Sequence, residues 1–457
     1  MKKFYAILVV LALTLVSAVA MAEVTVSGSI DIRNLATNNT ADYSSKATTP
    51  DSGRTTQERL RLNVDAKNDG VKGRITIEND WTVWGTAGTG GVETNQGKGA
   101  ANLGFREAWI DFQLPGLTPA HVKVGHQFLA LGNGWFFRSG KYGSDAWLVG
   151  LPGKNTVAFV NVKAAEWNTA REDDTDAFVL LDNFKITDNQ TVGVYFARLR
   201  DPRGEFMNAT FNGSLPAPAA PTTPSIGAEA NLDTIGLWFN GKLGPINLQA
   251  EIDLQGGKAK DPGNPDTKFK GKQVVLQANM PIDPLTINAT LAQGSGVDQY
   301  ATSNSNDVKQ IMTLLDADPH YTFVYEYLVN TACIKSVTTP AGPGLNSTIN
   351  YGKNTGFCNT TAMNIGAGYK ISKNLSVNAD FWMLKAVEKV NIGGGAGANG
   401  SDDLGTELDI VVKWNLYDQL SWNWQLGRMM PGKAYDKSAT VSADNIDAIQ
   451  GILSYKF

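Results

Sequence analysis

Like-charged residues stand two positions apart at several places in this 457-residue sequence. In an extended strand, side chains at positions i and i+2 point to the same face. Suppose that the strands formed a closed ring, with the basic pairs on one side of its interior and the acidic pairs on the opposite side. The electric field between the two groups would then orient polar solutes and sort ions by charge. The basic candidates for such a lining are Arg59, Arg61, Lys72 and Arg74. The acidic candidates are Glu251, Asp253, Asp380, Glu407 and Asp409.

The same charges have a simpler interpretation, in which near neighbours neutralise them. Several acids lie close to the basic group in the sequence, namely Glu78, Asp80, Glu107 and Asp111. Local ion pairs in a wet interior would leave little field across it. The sequence alone leaves both interpretations open.

The sequence shows no catalytic or metal-binding signature. The three histidines, His121, His126 and His320, are not part of a readable Ser/His/acid arrangement. Cys333 and Cys358 lack the spacing of a haem attachment or a zinc site. We therefore predict no enzyme activity, no cofactor and no metal. The balance of 40 Lys and Arg against 44 Asp and Glu also argues against nucleic-acid binding.

The first 22 residues have the pattern of a secretory signal. Lys2 and Lys3 precede an apolar run, and the small residues Ala20 and Ala22 follow it. We predict a signal peptide over residues 1–22 that is removed on export; the alternative, a membrane anchor, requires a longer apolar run. Export would place Cys333 and Cys358 in an oxidising compartment, where a disulfide is favoured over two free thiols.

Apolar and polar residues alternate along most of the remaining chain, as in 246–254, 374–383 and 406–418. Such segments are about 10 to 13 residues long, about twice the usual strand of a soluble protein. Their polar faces carry Asn, Gln, Ser, Thr, Asp and Arg, which suits a wet interior. We therefore predict an all-β fold, a transmembrane antiparallel β-barrel with its apolar side outward. Aromatic residues near the segment ends fit this prediction: Phe112, Tyr369, Trp414, Trp422, Trp424 and Tyr455.

Short and long connections alternate between these segments. The eight short turns lie near residues 67–70, 114–120, 151–155, 187–190, 242–245, 281–284, 372–374 and 417–419. Nine longer polar stretches interleave with them, which predicts about 18 strands, with 16 as the alternative, short periplasmic turns and long external loops. The strict alternation of short turns with long loops requires 296–360 to be one long external loop, although 320–329 within it alternates like a strand. A Cys333–Cys358 bond would pin that loop.

The chain ends in GILSYKF (451–457), which alternates to the last residue and puts Tyr455 and Phe457 on one face. On this ending and on the alternation, residues 23–457 resemble a single Gram-negative outer-membrane porin domain. The aromatic ending resembles the assembly signal of that family. The sequence departs from the family at Gly125-His126-Gln127, where many porins have Gly-Arg-Gln, and plain alternation points His126 outward.

The resemblance implies a channel in the outer membrane for passive diffusion of small hydrophilic solutes and ions. It also implies contact with outer-membrane lipid and lipopolysaccharide, the barrel-assembly machinery as a partner, and a homotrimer. Residues 131–144 would fold inward as a constriction loop that presents Arg138 and Lys141. Alternatively, the aromatic residues of that loop contact lipopolysaccharide or a neighbouring subunit. Two other functions stay open: a selective channel for a sugar, organic acid or polymer, and a barrel that sheathes an electron-transfer partner.

Overall fold

The structure is a computed structural model, and the parts of the chain that it describes are almost entirely β. The described residues are 23–41, 43–45, 52–84, 103–166, 172–203, 229–260, 266–297, 307–315, 321–338, 348–395 and 400–457. The predicted signal peptide (1–22) and His320 therefore lie outside the described residues. In the described ranges, no helix has both the length and the apolar character needed to cross a membrane.

Eighteen long strands form the main sheet, and we number them in chain order. They are β1 (Glu23–Asn38), β2 (Gly53–Asn68), β3 (Val71–Val83), β4 (Leu103–Gln113), β5 (His121–Gln127), β6 (Ser144–Leu151), β7 (Asn155–Ala165), β8 (Thr175–Thr187), β9 (Gln190–Asp201), β10 (Glu229–Leu243), β11 (Ile246–Lys260), β12 (Lys272–Ile282), β13 (Leu285–Gly294), β14 (Thr360–Ser372), β15 (Leu375–Val390), β16 (Ser401–Tyr417), β17 (Leu420–Pro431) and β18 (Ile446–Lys456).

Shorter elements occur in the connections. They are the strands Phe137–Arg138, Thr267–Phe269, Asp307–Val308, Leu314–Leu315, Ile334–Thr338 and Thr348–Tyr351, and the 3-10 helix Lys433–Tyr435.

Each long strand pairs antiparallel with the next one in the sequence, and β18 pairs with β1. The sheet is therefore a closed barrel, which confirms the predicted count of 18 and rules out 16. The ladder continues to the final residue. The N–H of Gly28 donates to the carbonyl of Phe457 at 2.9 Å, and the N–H of Phe457 donates back to the carbonyl of Gly28 at 3.1 Å. The chain end thus contributes the last rung of the closing ladder.

The eight predicted short turns connect strands at one end of the barrel, and the nine longer connections lie at the other end. Several short turns have local chemical causes. Gly70 and Gly244 adopt positive φ angles of 74° and 59°, which a residue with a Cβ rarely adopts. The longest connection runs between β13 and β14, and the described residues 321–329 within it do not form a barrel strand.

Alternation separates the two faces of the wall. On β11, Ile252 and Leu254 are 44% and 54% exposed, whereas Glu251 and Asp253 between them are 1% and 0% exposed. A barrel with a polar inner face and an exposed apolar outer face suits lipid, because the hydrocarbon region stabilises outward apolar side chains.

We predict that deletion of Phe457 lowers the folded, membrane-inserted fraction, because the deletion removes both backbone hydrogen bonds to Gly28, each contributing about 1 kcal/mol. The readout is the heat-modifiable band of the protein on gels of outer membranes. Lys456→Ser, which keeps the chain length and the final aromatic residue, is the matched control. Outer-membrane levels of the shortened chain equal to wild type would contradict the prediction.

Candidate functional site

Two of the long connections fold into the barrel. The first inward loop comprises residues 128–143, between β5 and β6, and the second inward loop comprises the described residues of 295–359, between β13 and β14. Each reaches carboxylates on distant wall strands, Glu251 on β11 and Glu407 on β16. A ring of 18 strands would otherwise enclose a wide aqueous lumen, so these loops determine how much of that lumen stays open.

The first inward loop packs against an apolar area of the inner wall. Its Leu131 and Phe136 form a buried cluster with Val160, Val179 and Tyr195. The rings of Phe136 and Tyr195 stack with their centroids 6.2 Å apart. These inward apolar wall residues would be unfavourable in contact with water, and the loop covers them.

From there the first inward loop crosses to β11. The backbone N–H groups of Asn133 and Trp135 both donate to the carboxylate of Glu251, the second at 3.3 Å, and the Asn133 side chain donates to the carbonyl of Ala250 at 2.9 Å. Gly132 has a φ of 58°, and a Cβ there would collide with the Glu251 carboxylate. Glycine at this position therefore permits the close approach of the loop to the carboxylate.

The second inward loop is held in the same way, by backbone donors on a buried acid pair. The N–H groups of Val324 and Tyr325 donate to the two carboxylate oxygens of Glu407 at 2.5 and 2.8 Å, and the N–H of Phe323 donates to Asp409 at 3.2 Å. Glu407 is fully buried. Three consecutive N–H groups thus surround the acid pair, in the manner of a backbone anion site. Since these donors are engaged here, the segment cannot pair as a barrel strand.

The second inward loop has its own packed centre. Cys333 and Cys358 form a disulfide, as export predicts, with Cα atoms 5.3 Å apart. The hydroxyl of Tyr325 accepts from the N–H of Ala332 at 3.1 Å and lies 2.7 Å from the hydroxyl of Thr360. Burial of this phenol raises the pKa of Tyr325. The covalent and hydrogen-bonded contacts favour one loop conformation.

The two inward loops touch each other inside the barrel. The rings of Trp135 and Phe357 lie 4.8 Å apart, and the N–H of Leu314 donates to the carbonyl of Phe136 at 2.8 Å. The two loops therefore pack together as one unit inside the lumen.

The predicted basic residues lie on the inner wall, and the arginines have carboxylate partners. Arg59 lies 3.0 Å from Asp31, and Arg74 lies 2.7 Å from Asp65. Arg59 also stacks on the ring of Trp81. These contacts favour the interpretation of local neutralisation for this part of the wall.

Arg61 shares the carboxylate of Glu78 with Arg106, a residue that the sequence interpretation omitted. Lys72 lies exposed beside the short turn between β2 and β3, and no ion pair is found for it in the described residues. Selection of ions by this group stays a prediction.

The two remaining acidic candidates also face inward. Asp253 accepts hydrogen bonds from the hydroxyl of Tyr195 and from the amide of Gln273, the latter at 2.6 Å. Asp380 accepts from the Asn364 amide at 3.3 Å. The predicted facing of all five acids fits the strand alternation, but four of them are buried beneath the loops, at most 4% exposed. A role for them as an open charged wall stays a prediction.

The candidate residues of the constriction loop lie between the loops and the wall. Arg138 borders a cavity of about 490 Å³ that also contacts Cys333 of the second inward loop. Lys141 lies 3.7 Å from Asp80 and 5.0 Å from the ring of Tyr142. The loop does fold inward, but control of solute passage by Arg138 and Lys141 stays a prediction.

The residues at 125–127, where the sequence departs from the porin pattern at His126, contact the neighbouring strands. His126 stands in register with Asp145 of β6, and their side chains meet at 2.8 Å. Gly125 has a φ of 123°, and a Cβ there would lie 2.9 Å from the Cα of Trp109.

In the described part of the chain, no group of three or more His, Cys, Asp or Glu residues is placed to hold a metal ion.

Comparisons with known proteins identify the fold. No family model matches the sequence, and no curated protein matches it. Solved structures do match. OccK2 (OpdF) of Pseudomonas aeruginosa has a TM-score of 0.54 and 10% identity, with 95% of this chain and 96% of that chain covered.

The outer membrane protein OpdK of the same organism has a TM-score of 0.52 and 10% identity, over 95% and 99% of the two chains. A BenF-like porin of Pseudomonas fluorescens Pf-5 has a TM-score of 0.51 and 11% identity, over 95% and 98%. The chain has the fold of an outer-membrane porin. At these identities the likeness concerns the fold, and the chemistry of the lumen has to be argued from the residues of this chain.

We predict that Glu407→Gln loosens the second inward loop, because a glutamine NH₂ would face a backbone N–H that now donates to a carboxylate. A loss of about 1–3 kcal/mol in docking would speed exchange of the 323–325 amides about 5- to 150-fold, measured by hydrogen–deuterium exchange. Glu251→Gln is the matched control and should speed exchange only at Asn133 and Trp135. Unchanged protection of 323–325 in Glu407→Gln would refute the anchoring role.

Proposed function

We propose that this chain forms a water-filled channel in the outer membrane for passive diffusion of small hydrophilic solutes and ions. The observation that carries the proposal is the closed barrel with an apolar outer face and a polar inner face. A wall in hydrocarbon has no water to pair with its backbone N–H and C=O groups, and closure of the sheet pairs these groups with one another. Eighteen strands leave room for water inside, in contrast to smaller barrels that side chains fill.

The two inward loops support a limit on solute size. They meet inside the lumen through Trp135 and Phe357, while a cavity of about 570 Å³ lies open beside them. Selectivity by size and by the polar groups of the lining follows from such a constriction.

Related folds bind small organic solutes. The structure of OccK2 was solved in complex with glucuronate, and that of OpdK with vanillate. Both solutes are organic acids, whereas the arginines Arg59, Arg61 and Arg74 of this chain already have carboxylate partners. The second candidate function is therefore a selective channel, with a solute class set by other parts of the lumen. The chain's own loops occupy the lumen, so the described residues do not favour a barrel that sheathes an electron-transfer partner. They do not favour an enzyme either.

The remaining expectations join this proposal. They are removal of residues 1–22 on export, assembly through Tyr455 and Phe457 by the barrel-assembly machinery, contact with lipid and lipopolysaccharide, and a homotrimer. Both aromatic side chains of the assembly signal are well exposed, at 43% and 48%, which supports their availability to a receptor during insertion.

One acid on the outer wall supports a subunit contact. Asp182 stands in register with Val157 and Val194, which are 36% and 46% exposed, and its Oδ1 has no hydrogen-bond partner in the described residues. A carboxylate among lipid-facing side chains is unfavourable. The Oδ1 of Asp182 is itself buried within the chain, and a neighbouring subunit that covers β7–β9 would separate the rest of this carboxylate from lipid.

The purified protein should make liposomes permeable. We predict that proteoliposomes swell in isotonic arabinose and more slowly in larger sugars, because the inward loops restrict the lumen. Light scattering after transfer gives the rates, and liposomes with heat-denatured protein are the control. No swelling in any solute would contradict the open channel.

A further inference from the structure

One arc of the lumen is lined by uncharged amide side chains. They occupy inward positions on the four consecutive strands β10–β13, at the end nearest the short turns. This amide wall consists of Asn240, Asn247, Gln249, Gln277, Asn279 and Asn288. The backbone of these strands is already paired along the sheet, so the amides are not needed to hold the strands together.

Strand register arranges the amide wall in two rows. Asn279 stands opposite both Asn247 and Asn288, and Gln249 stands opposite both Asn240 and Gln277. Neighbours across strands are about 5 Å apart, and the rows are about 7 Å apart along the strands. The result is a regular lattice of hydrogen-bonding groups that faces the lumen.

Most of the hydrogen-bonding capacity of this lattice is unused. In the first row, Asn247 donates to Asn279 at 3.3 Å, Asn279 donates to Asn288 at 2.6 Å, and Asn288 donates to Asn378 at 2.8 Å. Each amide has two N–H donors and two acceptor lone pairs, so each keeps capacity for a ligand. In the second row, the side chains form no hydrogen bond to other described residues.

Aromatic side chains border the amide wall. Trp135 of the first inward loop, Tyr321 of the second and Trp382 of β15 line the same cavity of about 570 Å³. The rings of Tyr321 and Trp382 lie 5.4 Å apart. Neither the Tyr321 hydroxyl nor the Trp382 Nε1 has a hydrogen-bond partner in the described residues. Because both of these polar atoms are buried, the aromatic residues offer the cavity an apolar surface beside the amides.

This cavity carries almost no charge. Asp380 is the one charged side chain that borders it among the described residues, and the Asn364 and Asn378 amides already donate to its carboxylate. The arginines of the basic group lie on β2 and β3, on another arc of the ring. An organic anion in this cavity would find no cation to replace its lost hydration.

We propose that the amide wall and its aromatic border bind neutral carbohydrates. A sugar hydroxyl donates one hydrogen bond and accepts others, which matches an amide in both respects, and the C–H face of a sugar ring can pack on an aromatic face. The cavity volume lies within the usual range of small-molecule sites, roughly 300–1,000 Å³. This inference deepens the proposed channel function and rests on it.

Binding of this kind is compatible with passage. Conduction requires sites that attract a solute but release it again. The two rows offer similar hydrogen bonds about 7 Å apart along the strands, so a sugar can exchange the amides of one row for those of the other.

The test is block of the single-channel ion current by added solutes in a planar bilayer. The probes are sucrose and raffinose as neutral sugars and succinate as an anion. Gln277→Met removes one amide of the second row with little change in shape. Gln113→Met makes the same change at a lumenal position near the short turns on β4, outside the amide wall, and is the matched control. Asn240→Leu is the second variant should Gln277→Met not fold.

We expect saturable block of the wild type by both sugars and none by succinate at the same concentrations. Gln277→Met or Asn240→Leu should raise the half-blocking sugar concentration about two- to tenfold, the contribution of one hydrogen bond, whereas Gln113→Met should not. A conducting channel that sugars do not block, equal effects of Gln277→Met and Gln113→Met, or equal block by succinate would each overturn the inference. A wild type without any conductance would instead refute the proposed channel itself.

Discussion

The hydrocarbon of a membrane contains no water, so every backbone N–H and C=O in the wall must find a partner within the protein. The remaining architecture depends on this constraint. It requires β18 to return to β1, and the ladder is complete only at Phe457, which pairs with Gly28. It also explains why apolar side chains such as Ile252 and Leu254 can be exposed without aggregation, since lipid rather than water covers them.

Closure by 18 strands creates a second requirement, because such a ring encloses more space than wall side chains can fill. The chain meets it with two loops held by buried carboxylates. Glu251 and Glu407 accept from backbone N–H groups, and charge-assisted hydrogen bonds of this kind are stronger than neutral ones. Desolvation of a carboxylate without such donors would be strongly unfavourable. The loops and the acids therefore depend on each other.

Much of the fold was predictable because its determinants are local. Short turns contain glycines such as Gly70 and Gly244, which adopt positive φ angles, and two-residue alternation gives the facing of Glu251 and Asp253. The parity of turns and loops gave the strand count and kept 320–329 out of the wall.

The docking of the loops was not predictable, since its donors are the backbone N–H groups of 323–325, which no side-chain pattern reveals. The sequence gives the sign of each charge. The carboxylate partners of the arginines could be identified only from the register of neighbouring strands.

The central claim, a water-filled channel narrowed by two anchored loops, is tested most directly by single-channel conductance of the wild type and of a Glu251→Gln/Glu407→Gln variant. The account predicts discrete steps in the wild type and larger steps in the variant. Absence of steps, or steps of equal size in both, would contradict it.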